Sequence, residues 1–217
     1  ALPICLYSVG VRVASAMVLL LTAFRMAWPA FAYSIASDDE AKRTYAWVLT
    51  YLVVIATWIA TTLTLLSPWI VQLLTTPRFE SASRVVGPLA FSAVSFAGYI
   101  VISIGIGRAR RTQFNWVVTG AAAAVNVALN LTLIPAYGMM GAAVATVAAY
   151  TVMFLGMAWW SHRVYPVPYQ WRRVITAAAA GVGLSALGKL LGAGLPLAAV
   201  LAVLYPVALL PLGFYLP

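Results

Sequence analysis

Ionisable and metal-binding side chains are scarce in this sequence of 217 residues. It has one cysteine, one histidine and four acidic residues, and 8% of its residues are charged, whereas soluble domains carry about 25%. Cys5 cannot form a disulfide within the chain, and it lies far in sequence from His162. No Cys/His metal motif, phosphate-binding loop or nucleophile-base pair is present. We therefore expect no catalytic residues, no metal and no cofactor.

The few acidic residues all fall outside the long apolar runs, at Asp38, Asp39, Glu40 and Glu80. Coupling to protons or sodium usually needs a carboxylate within the membrane, so the sequence predicts no such site in this chain. The three consecutive acids are interpreted as a solvated helix start, which acidic side chains stabilise.

Apolar residues dominate the chain, at 64% of the total with a mean hydropathy of +0.98. A helix of about 20 residues crosses the roughly 30 Å hydrocarbon core of a bilayer. Runs of that kind predict an all-α, polytopic membrane helix bundle of about seven transmembrane helices. The predicted spans are 9–36, 44–74 with a break at Ser67-Pro68, 85–107, 112–134, 138–161, 173–192 and 196–216. Residues 1–8 are expected to be the tail of an earlier span, and the chain's start is interpreted as a truncation.

Basic residues are distributed unequally between the two predicted sides of the membrane. The connections after spans one, three and five carry Lys42, Arg43, Arg108, Arg110, Arg111, Arg163, Arg172 and Arg173, and the other side carries Arg12, Arg78, Arg84 and Lys189. Because cytoplasmic loops are enriched in Lys and Arg, the first set is predicted to be cytoplasmic. The net charge of +9 is thus explained by lipid headgroups, and no nucleic-acid partner is expected.

A tight hairpin is predicted between spans four and five. Pro135 cannot donate a helical hydrogen bond and Gly138 can adopt a positive φ. Gly141, followed by Ala142, Ala145 and Thr146, makes a face of small residues at helical spacing, which permits close approach of membrane helices.

Three segments resemble one transporter family. The stretch from Asn126 to Tyr150 has the order N-x-x-x-N-L-x-L-I-P-x-Y-G-x-x-G-A-A-x-A-T-x-x-x-Y, Phe24 to Ala36 is F-R-M-A-W-P-A-F-A-Y-S-I-A, and Arg78 to Ala90 is R-F-E-S-A-S-R-V-V-G-P-L-A. All three resemble the C-terminal half of polysaccharide and oligosaccharide-lipid flippases of the MOP superfamily, which also includes MATE exporters and lipid II flippases. The resemblance covers about residues 9–165.

The resemblance implies an architecture and a set of partners. Residues 1–165 would form the C-terminal lobe of a MATE-like transporter, residues 166–217 two additional transmembrane helices, and the N-terminal lobe would be missing. The expected function is alternating-access translocation of a polyprenyl-pyrophosphate-linked oligosaccharide across a bacterial inner membrane, for polysaccharide biosynthesis. Partners would be that lipid-linked oligosaccharide, membrane lipids, the missing lobe, and a polysaccharide polymerase or glycosyltransferases. Half of a MATE-type multidrug antiporter and a non-transporting membrane scaffold are the alternatives.

Arg25 is the cation that most needs an explanation, because it lies near the middle of the first predicted span with no acid nearby. An unpaired cation at that depth costs about 3 kcal/mol on insertion scales. The forked guanidinium suits phosphate oxygens, and lipid II flippases, as the resemblance implies, place cations on the matching helix. Arg25, with Arg12 as a second candidate, is therefore predicted to bind the lipid pyrophosphate in a central cavity. Snorkelling, headgroup contact at Arg12, or pairing with an acid in the absent half are alternatives.

Four further polar residues are candidates for helix packing or for a polar path. Asn126 and Asn130 share a helix face at a spacing of four, and buried amides of this kind usually bond to a neighbouring helix. Thr61 and Gln72 could line a cavity, although threonine can also bond to its own helix.

Overall fold

The computed structural model describes residues 2–75 and 81–209, with side chains described from Tyr7 onward. Arg78, Glu80 and the side chain of Cys5 lie outside the described part. The described ranges form seven helices: α1 (Leu2–Ser34), α2 (Asp38–Leu74), α3 (Ser83–Arg108), α4 (Gln113–Tyr137), α5 (Met139–Val164), α6 (Trp171–Leu190) and α7 (Leu195–Ala208). Helices α1 to α6 are long and apolar enough to cross a bilayer. The predicted all-α membrane bundle is confirmed, and the chain is a multi-pass membrane protein.

Two details of the predicted spans differ in the structure. Residues 2–8 continue directly into the first span as part of α1, so their assignment to an earlier helix was wrong. Helix α2 runs uninterrupted through Pro68, so the predicted break was also wrong. Pro68 cannot donate to the carbonyl of Thr64, and the hydroxyl of Ser67 donates to that oxygen instead at 2.9 Å. The last predicted span, 196–216, is described only as far as residue 209.

Helix α3 lies at the centre of the bundle and packs against α1, α2 and α5. Helix α4 packs on α5 at one edge, and α6 and α7 pack on α2 at the other. The contact of α6 with α2 is close because Gly181 faces Thr57 and Thr61, and Gly188 faces Leu65. The predicted boundary at residue 165 falls at the end of α5.

Side chains from two helices, α2 and α3, satisfy the carboxyl end of α1. The last carbonyls of a helix have no partner within it, and the carbonyl of Ala32 accepts from the Tyr45 hydroxyl at 2.7 Å and from Nη1 of Arg108 at 3.5 Å. Nε of Arg108 donates to Oδ1 of Asp38 at 2.8 Å, and the Tyr165 hydroxyl donates to the same oxygen at 3.3 Å. The connections after α1, α3 and α5 therefore meet at one end of the bundle, as the charge pattern requires.

Candidate functional site: a groove surface along α1, α5 and α4

A groove of about 310 Å³ runs between α1, α3 and α5. It is lined by Tyr7, Val11, Ala14, Ser15, Val18, Leu89, Ser92, Ala93, Phe96, Thr146 and Tyr150. The hydroxyls of Ser15, Ser92 and Thr146 donate to carbonyls of their own helices at 2.6 to 2.9 Å. Because these bonds satisfy much of the polar lining, the groove offers a surface suited to an apolar chain.

A second groove, of about 340 Å³, lies between α4 and α5 and contains Asn126 and Thr119. Thr146 and Tyr150 line both grooves, so the two adjoin across α5. We call the residues lining the two grooves the groove surface. It extends over four helices, α1, α3, α5 and α4, and the flanking faces of α1 and α4 are largely exposed in this chain.

Arg25 lies on the side of α1 that continues the groove surface. Val11, Val18 and Arg25 follow at intervals of seven residues, which returns each to nearly the same side of the helix. Arg25 is therefore about 10 Å beyond Val18 along α1, toward the end where Asp38 binds Arg108. It is exposed, and no hydrogen bond or ion pair to another described residue engages its guanidinium.

The structure does not bring Arg12 and Arg25 together. Thirteen residues of helix rotate the chain so that the two side chains leave α1 about 140° apart and about 20 Å apart along its axis. Arg12 is exposed and lies roughly opposite the buried residue Leu21. The two cations therefore do not lie on one face of α1.

The two asparagines of α4 bond to each other. Nδ2 of Asn130 donates to Oδ1 of Asn126 at 2.9 Å within the helix, whereas a bond to a neighbouring helix was expected. Within the described ranges, Oδ1 of Asn130 is buried without a partner. Asn126 lines the groove between α4 and α5, so its amide belongs to the groove surface.

Thr61 and Gln72 do not line a common path. Thr61 is fully buried where α2 meets α6, with its hydroxyl beside Gly181, so it is a packing residue. Gln72 is exposed close to the end of α2. Of the two expected roles, helix packing therefore applies to Thr61. Residues on one helix face different neighbours, and the sequence does not state which helix lies opposite.

The predicted hairpin is present, with one residue between α4 and α5. Gly138 has φ +55°. A side chain at this position would have open space, so the positive φ, and not a close contact, explains why the residue is a glycine. Gly141 lies directly against the backbone of Leu133 in α4. Pro135 does not end its helix, because α4 continues to Tyr137. A proline near the end of a helix removes only one of its last hydrogen bonds.

Sequence reasoning missed the contribution of Tyr150, Ser92 and Tyr7 to the groove surface. The seven-residue spacing from Val11 to Arg25 was a usable signal for the α1 wall. Nothing in the sequence places Ser92 of α3 and Tyr150 of α5 in the same groove, because that depends on how α3 and α5 pack.

Comparison with known proteins supports only the general class of the chain. No protein-family model matches it, and no solved structure matches it. It is 26% identical over 121 residues to the "Uncharacterized membrane protein MJ1068" of Methanocaldococcus jannaschii, an alignment covering 54% of this chain and 23% of the relative. The chain thus spans about a quarter of the length of that relative, whose name describes a membrane protein.

Proposed function

We propose that this chain is the C-terminal part of a flippase that moves a polyprenyl-pyrophosphate-linked oligosaccharide across the membrane by alternating access. The three family-like segments support the class of transporter. The single observation that carries the substrate assignment is Arg25, an exposed guanidinium with no ionic or hydrogen-bonding contact among the described residues. Arg25 continues the wall of an apolar groove. A cation beside an apolar surface is the combination that binding of an anionic lipid requires.

The depth of Arg25 suits a contact with the pyrophosphate. Helix α1 has 33 residues, so Arg25 lies about 10 Å from the middle of the helix. With α1 centred in the bilayer, that position is inside a hydrocarbon half-thickness of about 15 Å. It is also nearer to the predicted cytoplasmic end, where a lipid-linked oligosaccharide would enter. A diphosphate at that depth loses hydrogen bonds to water, and hydrogen bonds from the charged, forked guanidinium offset the cost of that desolvation.

The groove surface would guide the rest of the substrate. An isoprenoid chain can lie along the apolar walls formed by Val11, Val18 and Phe96, while the sugars cross in water between this lobe and the N-terminal lobe. The open faces of α1 and α4 are where we place that second lobe. We place the whole protein in a bacterial inner membrane, beside the polymerase or glycosyltransferases that use its product.

A multidrug antiporter would need different chemistry at this surface. Organic cations are bound by carboxylates or aromatic cages, and the described acids, Asp38, Asp39 and Glu40, all lie in the first turn of α2. The uncompensated charge on the groove side of α1 is positive. These features favour an anionic substrate.

The experiment measures how much lipid-linked oligosaccharide is accessible from outside in cells whose full-length protein carries a substitution at Arg25. We expect Arg25→Glu to abolish transport, and Arg25→Lys to retain part of it because it keeps the charge but loses the fork. Arg43→Glu is the matched control, since Arg43 is an exposed arginine at the start of α2, and it should retain transport.

Two results would contradict the proposal. Normal transport by Arg25→Glu at normal membrane levels would remove the role of Arg25 in binding pyrophosphate. Equal accessibility of the oligosaccharide in cells lacking the full-length protein would show a scaffold instead of a transporter.

A further inference from the structure

A cavity of about 400 Å³ opens at the end of the bundle opposite Asp38 and Arg108. Helices α2, α3 and α6 form its walls, and the connection after α6 forms part of its rim. Thr64, Pro68, Trp69, Arg84, Lys189 and Gly192 are among its lining residues. We call it the α2–α3–α6 cavity. Arg25 and the rest of α1 are not among its lining residues, so it is separate from the groove surface.

Two cations from different helices line this cavity. Arg84 lies in the first turn of α3, and Lys189 lies in the last turn of α6. A side-chain carbon placed on Gly87 would lie 3.5 Å from Nζ of Lys189, so the ammonium reaches across to α3. Gly87 is three residues from Arg84, about 4.5 Å along the helix.

No described residue neutralises either cation. Neither Arg84 nor Lys189 forms an ion pair or hydrogen bond within the described ranges, and none of the residues lining the cavity is acidic. Two like charges that share a cavity repel each other, and an anion bound between them would turn this repulsion into a net attraction.

The backbone around the cavity adds to its positive character. The start of α3 carries the partial positive charge of a helix N-terminus, and its N-cap residue, Ala82, has no polar side chain that could cap the helix. Such a terminus together with cationic side chains is a favourable setting for phosphate.

The rest of the lining suits a lipid more than a dissolved ion. Leu65, Pro68, Trp69, Met140 and Ala193 contribute apolar surface beside the two cations. Tryptophan is enriched where membrane meets water, and the cavity lies at the helix ends, at that depth. The tail of a lipid could leave along these residues while its phosphate stays between the cations.

We propose that the α2–α3–α6 cavity binds the phosphate of an anionic membrane lipid, with Arg84 and Lys189 as its two charged contacts. Because the contacts come from α3 and α6, the bound lipid links the central helix to the pair of helices that pack on α2. Binding therefore stabilises the position of α6. The site does not depend on the proposed flippase activity.

The test uses the purified full-length protein, whose thermal stability is measured while phosphatidylglycerol is titrated into detergent micelles. Phosphatidylcholine, which has no net charge, serves as the lipid control. We expect phosphatidylglycerol to raise the melting temperature, and Lys189→Gln or Arg84→Gln to weaken its apparent affinity about tenfold each, as for loss of one hydrogen bond to a charged group. Arg12→Gln removes the same charge at the same end of the bundle but outside the cavity, and should leave the affinity unchanged.

Each remaining outcome overturns the proposal. An equal loss of affinity in Arg12→Gln would show general attraction to a basic surface. Full stabilisation by inorganic phosphate alone, dependent on Lys189, would show a site for a free anion. Glu80 lies four positions before Arg84 in the sequence, and a lipid effect that develops only in Glu80→Gln would show that the chain's own carboxylate occupies the cavity.

Discussion

Replacing Gly141 with alanine is expected to separate α4 from α5. The new side-chain carbon would meet the carbonyl oxygen of Leu133, with the carbonyl carbon of that residue at 2.6 Å and the nitrogen of Ile134 at 3.0 Å. These atoms belong to the backbone of the opposite helix. Rotation of a side chain cannot relieve the overlap, so the helices themselves must move.

The expected loss of folding free energy in Gly141→Ala follows from two opposing contributions. Alanine stabilises a helix interior relative to glycine by about 1 kcal/mol, whereas overpacking a close contact costs about 1 to 3 kcal/mol. The upper value applies because the obstacle is backbone. The net loss is then about 2 kcal/mol, which lowers the folding equilibrium constant by a factor of about 30.

The assay is thermal unfolding of the full-length protein in one detergent, followed by circular dichroism. Gly120→Ala is the matched control, because Gly120 also lies in this helix pair and has nothing within 4 Å of the added carbon. We expect Gly120→Ala to melt at or above the wild-type temperature and Gly141→Ala clearly below it. Equal melting temperatures for the two variants would refute the close contact between α4 and α5.

Two further predictions concern other contacts. Trp58→Phe should lower the free energy of unfolding by about 1 kcal/mol, because Nε1 of Trp58 donates at 2.8 Å to the carbonyl of Ala202. That carbonyl has no helical donor, since residue 206 is a proline. In a Pro206→Ala background the loss should be smaller, and an unchanged loss would contradict this account. Burial, and then the charge of Asp38, raise the pKa of the Tyr165 hydroxyl to about 12. The folded state therefore favours the neutral hydroxyl, so this contribution to stability is present below pH 10 and declines as the pH rises toward 12. Asp38→Asn should lower the pKa of Tyr165 in a phenolate absorbance titration, in which Tyr165→Phe identifies the signal. No shift would mean that the two groups do not interact.

The helices were predictable in number and approximate position because a long apolar run in a bilayer must satisfy its backbone internally. Gly138 was predictable as a turn for a similarly local reason, since few other residues adopt its φ. The effect of the prolines was less predictable. Pro68 and Pro206 each leave a carbonyl without its donor, and the donors that replace it, Ser67 and Trp58, are a local neighbour in one case and a residue of another helix in the other.

The residues of the candidate site also differ in how far the sequence alone predicts their roles. Arg25 was recognisable from the sequence because a cation within an apolar run is costly wherever the helices pack. The partners of Asn126 and the burial of Thr61 were not recognisable. Each depends on which helix lies opposite, and apolar helices of similar length can pair in many ways with similar hydrophobic gain.

The amino-acid sequence alone determined that this chain crosses a membrane several times, that a tight hairpin joins the fourth and fifth helices, and that Arg25 enters the apolar region. These properties depend on hydration and backbone geometry within a short segment. Only the tertiary structure decided that Thr146 and Tyr150 join two grooves, and that Arg84 and Lys189 share a cavity. Residues so far apart in sequence meet only through the packing of small side chains between helices, which sets the distance and rotation of each helix.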